Sequence, residues 1–592
     1  MKLTILRLIL LASIALTITP FPSSGGDAPA SDLIGLWQAQ RNYGPEVSGV
    51  LDILHRSGQW SAHIAGFSAA AVVSGESVRF EIDAERGAFR GQLTANEETI
   101  TGHWIQPATA ANFVRFASPV NLTRQTSGHW QGDVVPSEDK MTFFLSLTKN
   151  EDGCIGGFLR NPEANFGRHF HIENVVRDGD RINFIESNME TVRLQGVPHP
   201  DDDTFSIYIP DAGGTFDFVR VSDDTTSPFY PRGRHPQPYT YSPPVSRDDG
   251  WQVASLEDVG MAVSAIEQMV QMIMDTPMDG IASPNIHSML IARKGKLVVE
   301  EYFHGFTADT RHDTRSASKS VTATLVGLAI HAGEPVALSS PIYPIMYDGQ
   351  LPPDLDPRAM RMTLKHLLTM TSGLACDDNK DDSPGAEWKM QSQTEQPDWL
   401  RFTLELPMVN EPGEHVAYCS ASPNLAAGVL AKASGNWLPN LFQRYFARPM
   451  QMGSYHMNLT PTGQAYGGGG LQITGRDFLK MAQVYLDDGK WNGTKLLDDK
   501  WLREALHPAN RMFKQGYGYG WWIMDFPYKD RTVQAFYAGG NGGQYSMGIP
   551  ELDMAIVIFG GNYSQSVTHL AKNEHIPKYI LRSVAEGEAK RR

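Results

Sequence analysis

One residue spacing in this chain has a direct chemical use: a serine followed three residues later by a lysine. On a helix these two positions lie one turn apart on the same face, so the amine can reach the hydroxyl and assist it as a nucleophile. The first such serine lies in an acidic loop, and the second lies on a predicted strand, where positions three apart point to opposite faces. The third opens a predicted helix over residues 316–330, whose first backbone amides favour a developing anion. The three pairs are Ser137 with Lys140, Ser146 with Lys149, and Ser316 with Lys319. Ser316 is therefore the candidate nucleophile.

Composition narrows the function classes further. The chain has 66 Asp and Glu against 51 Lys and Arg, and its formal net charge of −15 excludes a nucleic-acid backbone as the main partner. Three cysteines in 592 residues exclude a disulfide-rich scaffold and a cysteine-rich zinc ribbon. The Gly-x-Ser-x-Gly, His-Glu-x-x-His and phosphate-loop motifs are absent from the sequence. We therefore expect no metal and no organic cofactor.

The first 30 residues have the pattern of a secretory signal peptide. Lys2 and Arg7 precede an apolar run over residues 8–18, which prolines, serines and glycines follow. An N-terminal membrane anchor is the alternative, but a spanning helix needs about 20 apolar residues and this run is shorter. We therefore expect an exported protein, either periplasmic or secreted.

Residues 31–225 are predicted to form an all-β region with an internal duplication. Short alternating runs such as VRFEI at residues 78–82 are separated by Gly, Asn and Asp, which is typical of antiparallel strands. The motif GLWQ at residues 35–38 recurs as GHWQ at residues 128–131. We place β unit 1 at residues 31–125 and β unit 2 at residues 126–225. The pattern leaves open whether these units form two small barrels or one sandwich.

A proline-rich linker and a domain of mixed secondary structure follow. Residues 226–254 contain six prolines without apolar periodicity, which predicts a stiff, extended interdomain linker. From Ser255 onwards, apolar residues at three- and four-residue spacing predict one helix that ends before Pro277. A hairpin over residues 289–300, long helical segments and a late strand over residues 554–559 give residues 255–592 an α/β character.

The segment around Ser316 resembles the active-site segment of a known family. The sequence TRSASKS at residues 314–320 is similar to that of serine β-lactamases and penicillin-binding-protein-like hydrolases, in their class C and esterase branch. Further segments resemble the family in the same order, namely residues 363–374, 412–420, 468–471 and 538–544. The resemblance covers residues 255–585. It implies a multidomain chain in which the all-β region precedes an α/β (α+β) domain with an antiparallel sheet flanked by helices.

The resemblance also implies roles for individual residues. Ser316 would be the acylated nucleophile, Lys319 the amine that helps to deprotonate it, and Tyr418 would share the duty of base and acid. Surrounding positive charge would let a lysine or tyrosine lose its proton near neutral pH. The backbone amides of Ser316 and Asn541 would form the oxyanion hole, with Gly540 beside them. A buried core tyrosine is the alternative interpretation of Tyr418.

Two departures from the family pattern bear on the substrate. The family's Tyr-x-Asn element ends here in Ser420, which would lie at the substrate-binding side, and Ala538 replaces the Lys or His that begins the third motif. That cation helps to bind the carboxylate of a β-lactam. We therefore expect a small-molecule or peptide acyl donor without a carboxylate there, cleaved by an esterase-like enzyme. A β-lactamase or D-Ala-type peptidase is the alternative enzyme.

A protein of another class is also consistent with these departures. In that interpretation the C-terminal domain is catalytically inactive, and the duplicated β region recognises a cell-wall or surface ligand. The intact pair of Ser316 and Lys319 favours the enzyme over this alternative.

Two smaller features remain open at this point. The resemblance places Cys376 and Cys419 on segments that border the site, which favours a disulfide over two buried thiols. An aromatic cluster either lines an acyl or sugar pocket or belongs to the core and its turns. Its members are Tyr517, Tyr519, Trp521 and Trp522.

Overall fold

A computed structural model describes residues 30–109, 113–161, 169–186, 192–199, 201–222 and 227–590. Residues 1–29 of the predicted signal peptide lie outside the described residues. Within the described ranges, no helix has both the length and the apolarity needed to cross a membrane.

Strands make up the N-terminal part of the described chain, and strands and helices alternate in the C-terminal part. In chain order the strands are β1 (Gly35–Gly44), β2 (Gly49–Arg56), β3 (Gln59–Ile64), β4 (Phe67–Ala70), β5 (Val72–Ser74), β6 (Ser77–Ile82), β7 (Gly87–Leu93), β8 (Thr99–Gln106), β9 (Arg115–Thr126), β10 (His129–Val134), β11 (Asp139–Lys149), β12 (Ile155–Arg160), β13 (His169–Asp178), β14 (Arg181–Glu186), β15 (Val192–His199), β16 (Thr204–Ile209), β17 (Gly214–Arg220), β18 (Gln252–Val253), β19 (Ile286–Arg293), β20 (Lys296–Tyr302), β21 (His312–Asp313), β22 (Met457–Leu459), β23 (Gln472–Ile473), β24 (Lys490–Trp491), β25 (Thr494–Lys495), β26 (Asn510–Met512), β27 (Gln515–Tyr517), β28 (Trp522–Tyr528), β29 (Arg531–Gly540), β30 (Gln544–Ile549) and β31 (Met554–Gly560).

Among the described residues, the α-helices all lie in the C-terminal domain. They are α1 (Leu256–Val259), α2 (Val263–Met274), α3 (Ser318–His331), α4 (Ile342–Met346), α5 (Leu364–Leu368), α6 (Glu387–Ser392), α7 (Trp399–Leu404), α8 (Ala421–Ser434), α9 (Leu438–Phe442), α10 (Gly475–Leu486), α11 (Asp499–Ala505) and α12 (Arg582–Lys590). A π-helical segment, Ala571–Leu581, leads directly into α12.

The all-β region forms two curved antiparallel sheets. One is a closed barrel of eight strands in the order β1-β11-β12-β13-β14-β15-β16-β17. The other, called the curved sheet below, runs β4-β3-β2-β10-β9-β8-β7-β6-β5, and contacts between β4 and β6 nearly close it. Large buried side chains fill both interiors, among them Trp37 and Phe143 in the barrel and Trp104 and Trp130 in the curved sheet. The predicted alternating strands are confirmed, and they form two separate units and not one sandwich.

Each of these sheets takes one strand from the other sequence repeat. β1 carries the first copy of the repeated tryptophan motif, pairs with β11 and β17, and so closes the barrel. β10 carries the second copy and pairs with β2 and β9 in the curved sheet. A barrel has no free edge only when its first and last strands pair. Here β1, which belongs to the first repeat, supplies that pairing to a barrel whose other strands belong to the second repeat. The boundary predicted between residues 125 and 126 therefore does not separate the two sheets.

A third sheet forms the centre of the C-terminal domain. Its order is β18-β20-β19-β31-β30-β29-β28-β27-β26, and every neighbouring pair is antiparallel except β18 with β20. Alternate residues of β31 face its two sides: Ala555 and Val557 join a core with α3, α8 and α10, while Ile556 and Ile558 join a core with α2 and α12. Burial on both faces explains the unbroken apolar run of this strand. The predicted α/β domain, with an antiparallel sheet flanked by helices, is confirmed.

The C-terminal domain begins with two helices, where the spacing predicted one. The predicted cap is present, since the Ser255 side chain accepts a hydrogen bond from the Asp258 amide and the Asp258 side chain accepts one from the Ser255 amide. The chain nevertheless leaves the helix at Gly260, whose φ of 82° lies in the left-handed region typical of helix ends. Gly587 of α12 packs against this turn, and a Cβ there would lie 2.2 Å from the Gly260 carbonyl oxygen.

The proline-rich segment is extended and packs closely against the C-terminal domain. The Tyr241 hydroxyl donates to the Val298 carbonyl oxygen of β20 at 2.8 Å. The guanidinium of Arg476, on α10, binds Asp249 of the segment at 2.8 Å and Glu300 of β20 at 2.7 Å. The side chains of Arg476 and Glu300 are only 3% and 8% exposed. A buried ionic network therefore joins this segment, the central sheet and α10.

The all-β region also supports the strand that leads into the candidate nucleophile. β22 of the C-terminal domain pairs with the first half of β9. Ser137 donates from its hydroxyl to Gln472 Oε1 at 2.7 Å. Gln472 lies in β23, whose partner β21 contains Asp313, three residues before Ser316. A connected set of hydrogen bonds thus runs from the all-β region to the segment just before Ser316.

Replacing Arg476 by Met is expected to lower the free energy of unfolding by about 3–5 kcal/mol, because the Glu300 carboxylate is then buried without its cation. Arg476→Lys should recover only part of this loss, since an ammonium cannot make the forked contacts of a guanidinium. Urea unfolding followed by tryptophan fluorescence measures both changes.

Arg401→Ala is the matched control for this prediction. Arg401 pairs with Glu405 one helical turn away, and both side chains are well exposed. We expect a loss of no more than about 0.5 kcal/mol in this variant. Equal losses in the two variants would contradict a special contribution of the buried network.

Candidate active site

Ser316 and Lys319 lie at the start of a buried helix, as the sequence predicted. A 3₁₀ turn, Arg315–Ala317, carries the serine, and α3 follows it directly. Lys319 Nζ donates a hydrogen bond to Ser316 Oγ at 2.9 Å. Ser316 is partly exposed, whereas Lys319 is only 2% exposed. The pair therefore presents an accessible hydroxyl and keeps its amine in the protein interior.

A run of glycines supplies the second hydrogen-bond partner of the amine. Lys319 Nζ donates to the Gly468 carbonyl oxygen at 2.8 Å, and the Thr322 hydroxyl donates to the Gly467 carbonyl oxygen at 2.8 Å. A Cβ on Gly467 would lie 2.6 Å from the Ala427 Cβ of α8. Glycine therefore lets this loop pass between α3 and α8 closely enough for its carbonyl to reach the lysine.

Acidic groups surround the buried amine. Burial alone would lower the pKa of Lys319, but its interactions with Tyr418, Glu387 and Asp378 outweigh burial, and the net pKa lies above the ordinary value. The acidic surroundings therefore favour the charged form of Lys319 over its neutral form.

Two carboxylates near the amine were not identified from the sequence. Asp378 Oδ2 accepts hydrogen bonds from the amide and the hydroxyl of Ser420, both at 2.7 Å, and Asp378 Oδ1 accepts one from the Glu387 amide at 2.8 Å. The Tyr466 hydroxyl donates to Glu387. Burial, and then the neighbouring Glu387, raises the pKa of Asp378. In the sequence, only the position of these two carboxylates pointed to the site, because both follow the family-like segment at residues 363–374.

Ser420 does not face the substrate side of the site. It is completely buried, and its hydroxyl is held by the carboxylate just described. The structure therefore corrects the predicted substrate-binding position of this serine. Its neighbour Cys419 forms a disulfide with Cys376, and their Cα atoms are 5.5 Å apart. This bond ties the loop that carries the carboxylate to the segment that carries Tyr418.

Tyr418 lies beside the amine, as the resemblance implied. Its ring centre is 5.1 Å from Lys319 Nζ, and its carbonyl oxygen accepts a hydrogen bond from the Asp378 amide at 2.8 Å. The side chain is partly exposed and stacks on Trp522, with ring centres 5.9 Å apart. The structure thus brings Ser316, Lys319 and Tyr418 together at one accessible site.

The last residues of β29 lie beside the nucleophile turn. Gly540 approaches the turn so closely that a Cβ on it would lie 2.3 Å from the Thr314 carbonyl oxygen. Asn541 follows, and its side chain is engaged with Ser564, whose amide donates to Asn541 Oδ1 at 2.7 Å. The backbone amide of Asn541, and not its carboxamide, is therefore the candidate oxyanion donor.

Backbone strain marks the residue just before the nucleophile. Arg315 has a φ of 49°, which is uncommon for a bulky side chain. Its guanidinium pairs with Asp313 at 3.3 Å and lies 4.8 Å from the ring centre of Tyr563. Burial raises the pKa of Asp313, and the charge of Arg315 opposes that shift. These contacts hold the strained turn that presents Ser316.

Three members of the predicted aromatic cluster belong to the core. Tyr517, Tyr519 and Trp521 are each 2% exposed or less. Trp522 is partly exposed and stacks on Tyr418. The first three residues are therefore part of the core, whereas Trp522 lies beside Tyr418 in the candidate site.

The other two serine and lysine pairs have no comparable geometry. Ser137 is buried between the all-β region and the C-terminal domain, where it bonds Gln472. Ser146 and Lys149 lie on β11, so their side chains point to opposite faces of the strand. The preference for Ser316 is consistent with both placements.

A family model described as Beta-lactamase matches residues 267–571, which is just over half of the chain. The chain belongs to the beta-lactamase family of serine hydrolases. The matched residues lie inside the range predicted from the sequence motifs and contain Ser316, Lys319 and Tyr418. They begin after the all-β region and its linker.

Individual proteins similar to this beta-lactamase family member each match about half of the chain. The 6-aminohexanoate-dimer hydrolase of Paenarthrobacter ureafaciens is 25% identical over 266 residues, which span 44% of this chain and 66% of the relative, just under two thirds of its length. A penicillin binding protein structure from Bacillus halodurans is 18% identical, with a TM-score of 0.38 over 49% of this chain and 95% of that one. EstCE1, described as a hydrolase with promiscuous acyltransferase activity, is 15% identical, with a TM-score of 0.42 over 55% of this chain and 99% of that one.

The beta-lactamase family domain also contains a buried cation behind the end of β29. Lys572 is 5% exposed, and its Nζ lies 3.3 Å from the Tyr537 hydroxyl, to which it donates. The same Nζ lies over the rings of Tyr537 and Tyr545, 4.8 and 5.8 Å from their centres. Burial lowers the pKa of Lys572 from 10.5 to about 8.

Replacing Lys572 by Met is expected to raise the free energy of unfolding by about 3 kcal/mol at pH 7. Below pH 8 the lysine is protonated in both states, so the folded state bears the full cost of burying the charge. Above about pH 10.5 it is neutral in both states and the difference vanishes. Urea unfolding at a series of pH values between 6 and 10 measures this trend.

Lys578→Met provides the control, because Lys578 is exposed on the same π-helical segment. Its effect should stay within about 0.5 kcal/mol over the same pH range. A gain in Lys572→Met that does not shrink as the pH rises would contradict the explanation by buried charge.

Proposed function

We propose that this chain hydrolyses an ester, an amide or a peptide bond through an acyl-enzyme on Ser316. The observation that carries the proposal is the 2.9 Å hydrogen bond from buried Lys319 Nζ to the accessible Ser316 Oγ. Ser316 Oγ attacks the substrate carbonyl carbon while its proton passes to Tyr418. The carbonyl oxygen becomes an oxyanion, which the amides of Ser316 and Asn541 stabilise. The leaving alcohol or amine takes the proton from Tyr418. Water then attacks the acyl carbon and passes a proton to Tyr418, which returns it to Ser316 Oγ as the acid leaves.

Lys319 serves as a cation in this mechanism. Its hydrogen bond to Ser316 Oγ stabilises negative charge as the oxygen loses its proton. Its position 5.1 Å from the Tyr418 ring centre also places this positive charge beside the residue that receives that proton. The neighbouring Glu387 and Asp378 favour the charged form of the amine. Tyr418 therefore takes the duty of general base and then of general acid.

The proposed substrate is a small-molecule or peptide acyl donor, and we favour an ester over a β-lactam. Ala538 stands where the family's third motif begins with a cation, and it is buried in the core. Ser420 is buried as well, so its side chain does not contact an amide group of the substrate. A relative named 6-aminohexanoate-dimer hydrolase supports a substrate other than a lactam.

A fluorophosphonate probe tests the nucleophile directly. We expect labelling of the wild-type protein at Ser316, identified by peptide mass mapping, and loss of labelling in Ser316→Ala. Turnover of an activated ester should fall by about 1000-fold or more in the same variant. Tyr418→Phe should lower kcat by about 100-fold or more, because the phenol transfers the proton.

Ser146→Ala is the matched control, since it removes the serine of a second Ser-x-x-Lys spacing without touching the site. It should label and turn over like the wild-type protein. A folded wild-type protein that neither labels nor hydrolyses esters would overturn the proposal and favour a surface-ligand binding protein instead.

The choice between ester and lactam is tested with two chromogenic substrates. We expect kcat/KM for p-nitrophenyl acetate to exceed that for a chromogenic cephalosporin by about 100-fold or more, since no cation at residue 538 binds the lactam carboxylate. Efficient cephalosporin hydrolysis would instead support a β-lactamase or a D-Ala-type peptidase.

Two further expectations remain proposals. Export to the periplasm or the medium is supported by the charged and apolar pattern of residues 1–30. Binding of a cell-wall or surface ligand by the all-β region is supported only by the presence of two additional folded sheets.

A further inference from the structure

We propose that Phe513 and Trp522 form a binding surface for a flat apolar group in the leaving alcohol or amine of the substrate. This inference rests on the proposed function, because it assigns a substrate class to the site around Ser316. Its support comes from the row of rings that leads away from Tyr418 and from the unusual position of Phe513.

Three aromatic rings follow one another from the buried amine to the tip of a hairpin. Tyr418 is the first, with its ring centre 5.1 Å from Lys319 Nζ. Trp522 is the second, 5.9 Å from Tyr418 with ring planes 27° apart. Phe513 is the third, 6.0 Å from Trp522 with planes 38° apart. All three are at least partly exposed, so they form a continuous aromatic surface.

The core holds this surface from behind. Tyr517 packs edge-on against Trp522, with ring centres 4.8 Å apart and planes at 73°. Met370 and Met512 complete this buried layer under Tyr418 and Trp522. Strand pairing also places Trp522 between Tyr517 of β27 and Tyr537 of β29. The surface is therefore preformed, which lowers the entropy cost of binding a rigid group.

Phe513 occupies a position that is unfavourable both for the backbone and for the side chain of a phenylalanine. Phe513 and Lys514 form the two-residue turn between β26 and β27, with φ values of 48° and 67°. Turns of this kind normally contain Asn or Gly, because a left-handed backbone crowds the Cβ of a bulky residue. The Phe513 side chain is 63% exposed, so burial in the core does not offset that strain. Contact with a ligand explains why an apolar ring stands here.

The position of Tyr418 assigns the surface to the leaving group. In the proposed mechanism Tyr418 gives its proton to the leaving oxygen or nitrogen, so that atom lies next to the Tyr418 hydroxyl. The next ring along the row is Trp522, and Phe513 follows it. A flat group attached to the leaving atom therefore meets these two rings, whose centres are 6.0 Å apart. A two-ring group such as naphthyl has a suitable length.

Three esters test this assignment in the full chain. The naphthyl ring lies in the alcohol of 2-naphthyl acetate and in the acid of ethyl 2-naphthoate, and ethyl acetate is the common reference. In Phe513→Ala we expect kcat/KM for 2-naphthyl acetate, relative to ethyl acetate, to fall about 10-fold, mainly through KM. The ratio for ethyl 2-naphthoate should not change. Lys514→Ala, at the neighbouring position of the turn, should keep both wild-type ratios.

A binding measurement without turnover separates this inference from the proposed function. Calorimetry should give a Kd for 2-naphthyl acetate about 10-fold larger in Ser316→Ala/Phe513→Ala than in Ser316→Ala. An unchanged Kd together with unchanged ratios would overturn the binding surface. A loss confined to ethyl 2-naphthoate would overturn the assignment to the leaving group. Binding that depends on Phe513, in a wild-type protein without turnover, would support the surface and overturn only the proposed function.

Discussion

A buried ammonium group is the constraint on which the catalytic domain depends. Lys319 sits in a helix that is enclosed on nearly all sides, and an ammonium without acceptors and opposite charge would be very costly there. Ser316 and Gly468 accept its hydrogen bonds, while Asp378 and Glu387 supply the negative charge. These partners come from segments far apart in the sequence. The glycine loop, the disulfide-linked loop and the start of α6 must therefore all meet around α3.

The all-β region belongs to the same construction and is not simply attached to it. Its contact with Gln472 supports the short strand pair that leads into the nucleophile turn. β22 crosses from the catalytic domain into the curved sheet, and Arg476 fixes the proline-rich segment from the other side. Strand pairing and hydrogen bonds therefore join the all-β region directly to the catalytic domain, and the segment between them is itself fixed to that domain. A displacement of the all-β region would also displace the backbone before Ser316.

Local patterns in the sequence predicted the features that depend on neighbouring residues. The spacing of Ser316 and Lys319, the hairpin of β19 and β20, and the buried strand β31 were all visible because each follows one helical or strand period. The acidic surroundings of Lys319 and the burial of Ser420 were not visible, because they arise from contacts between distant loops. The position of Phe513 could not be predicted for another reason, because phenylalanine is not a residue type that normally forms such a turn.

The exchange of first strands between the two β sheets sets an order for their assembly during synthesis. β1 leaves the ribosome first, yet its partners β11 and β17 follow only after the whole curved sheet has been made. β2 to β10 are contiguous in sequence, so the curved sheet can form from local pairings while β1 is still unpaired. The barrel then closes around a strand made long before its neighbours. A nascent chain that stalls before β17 would expose the edge of β1, and such unpaired edges are where strands of different chains associate.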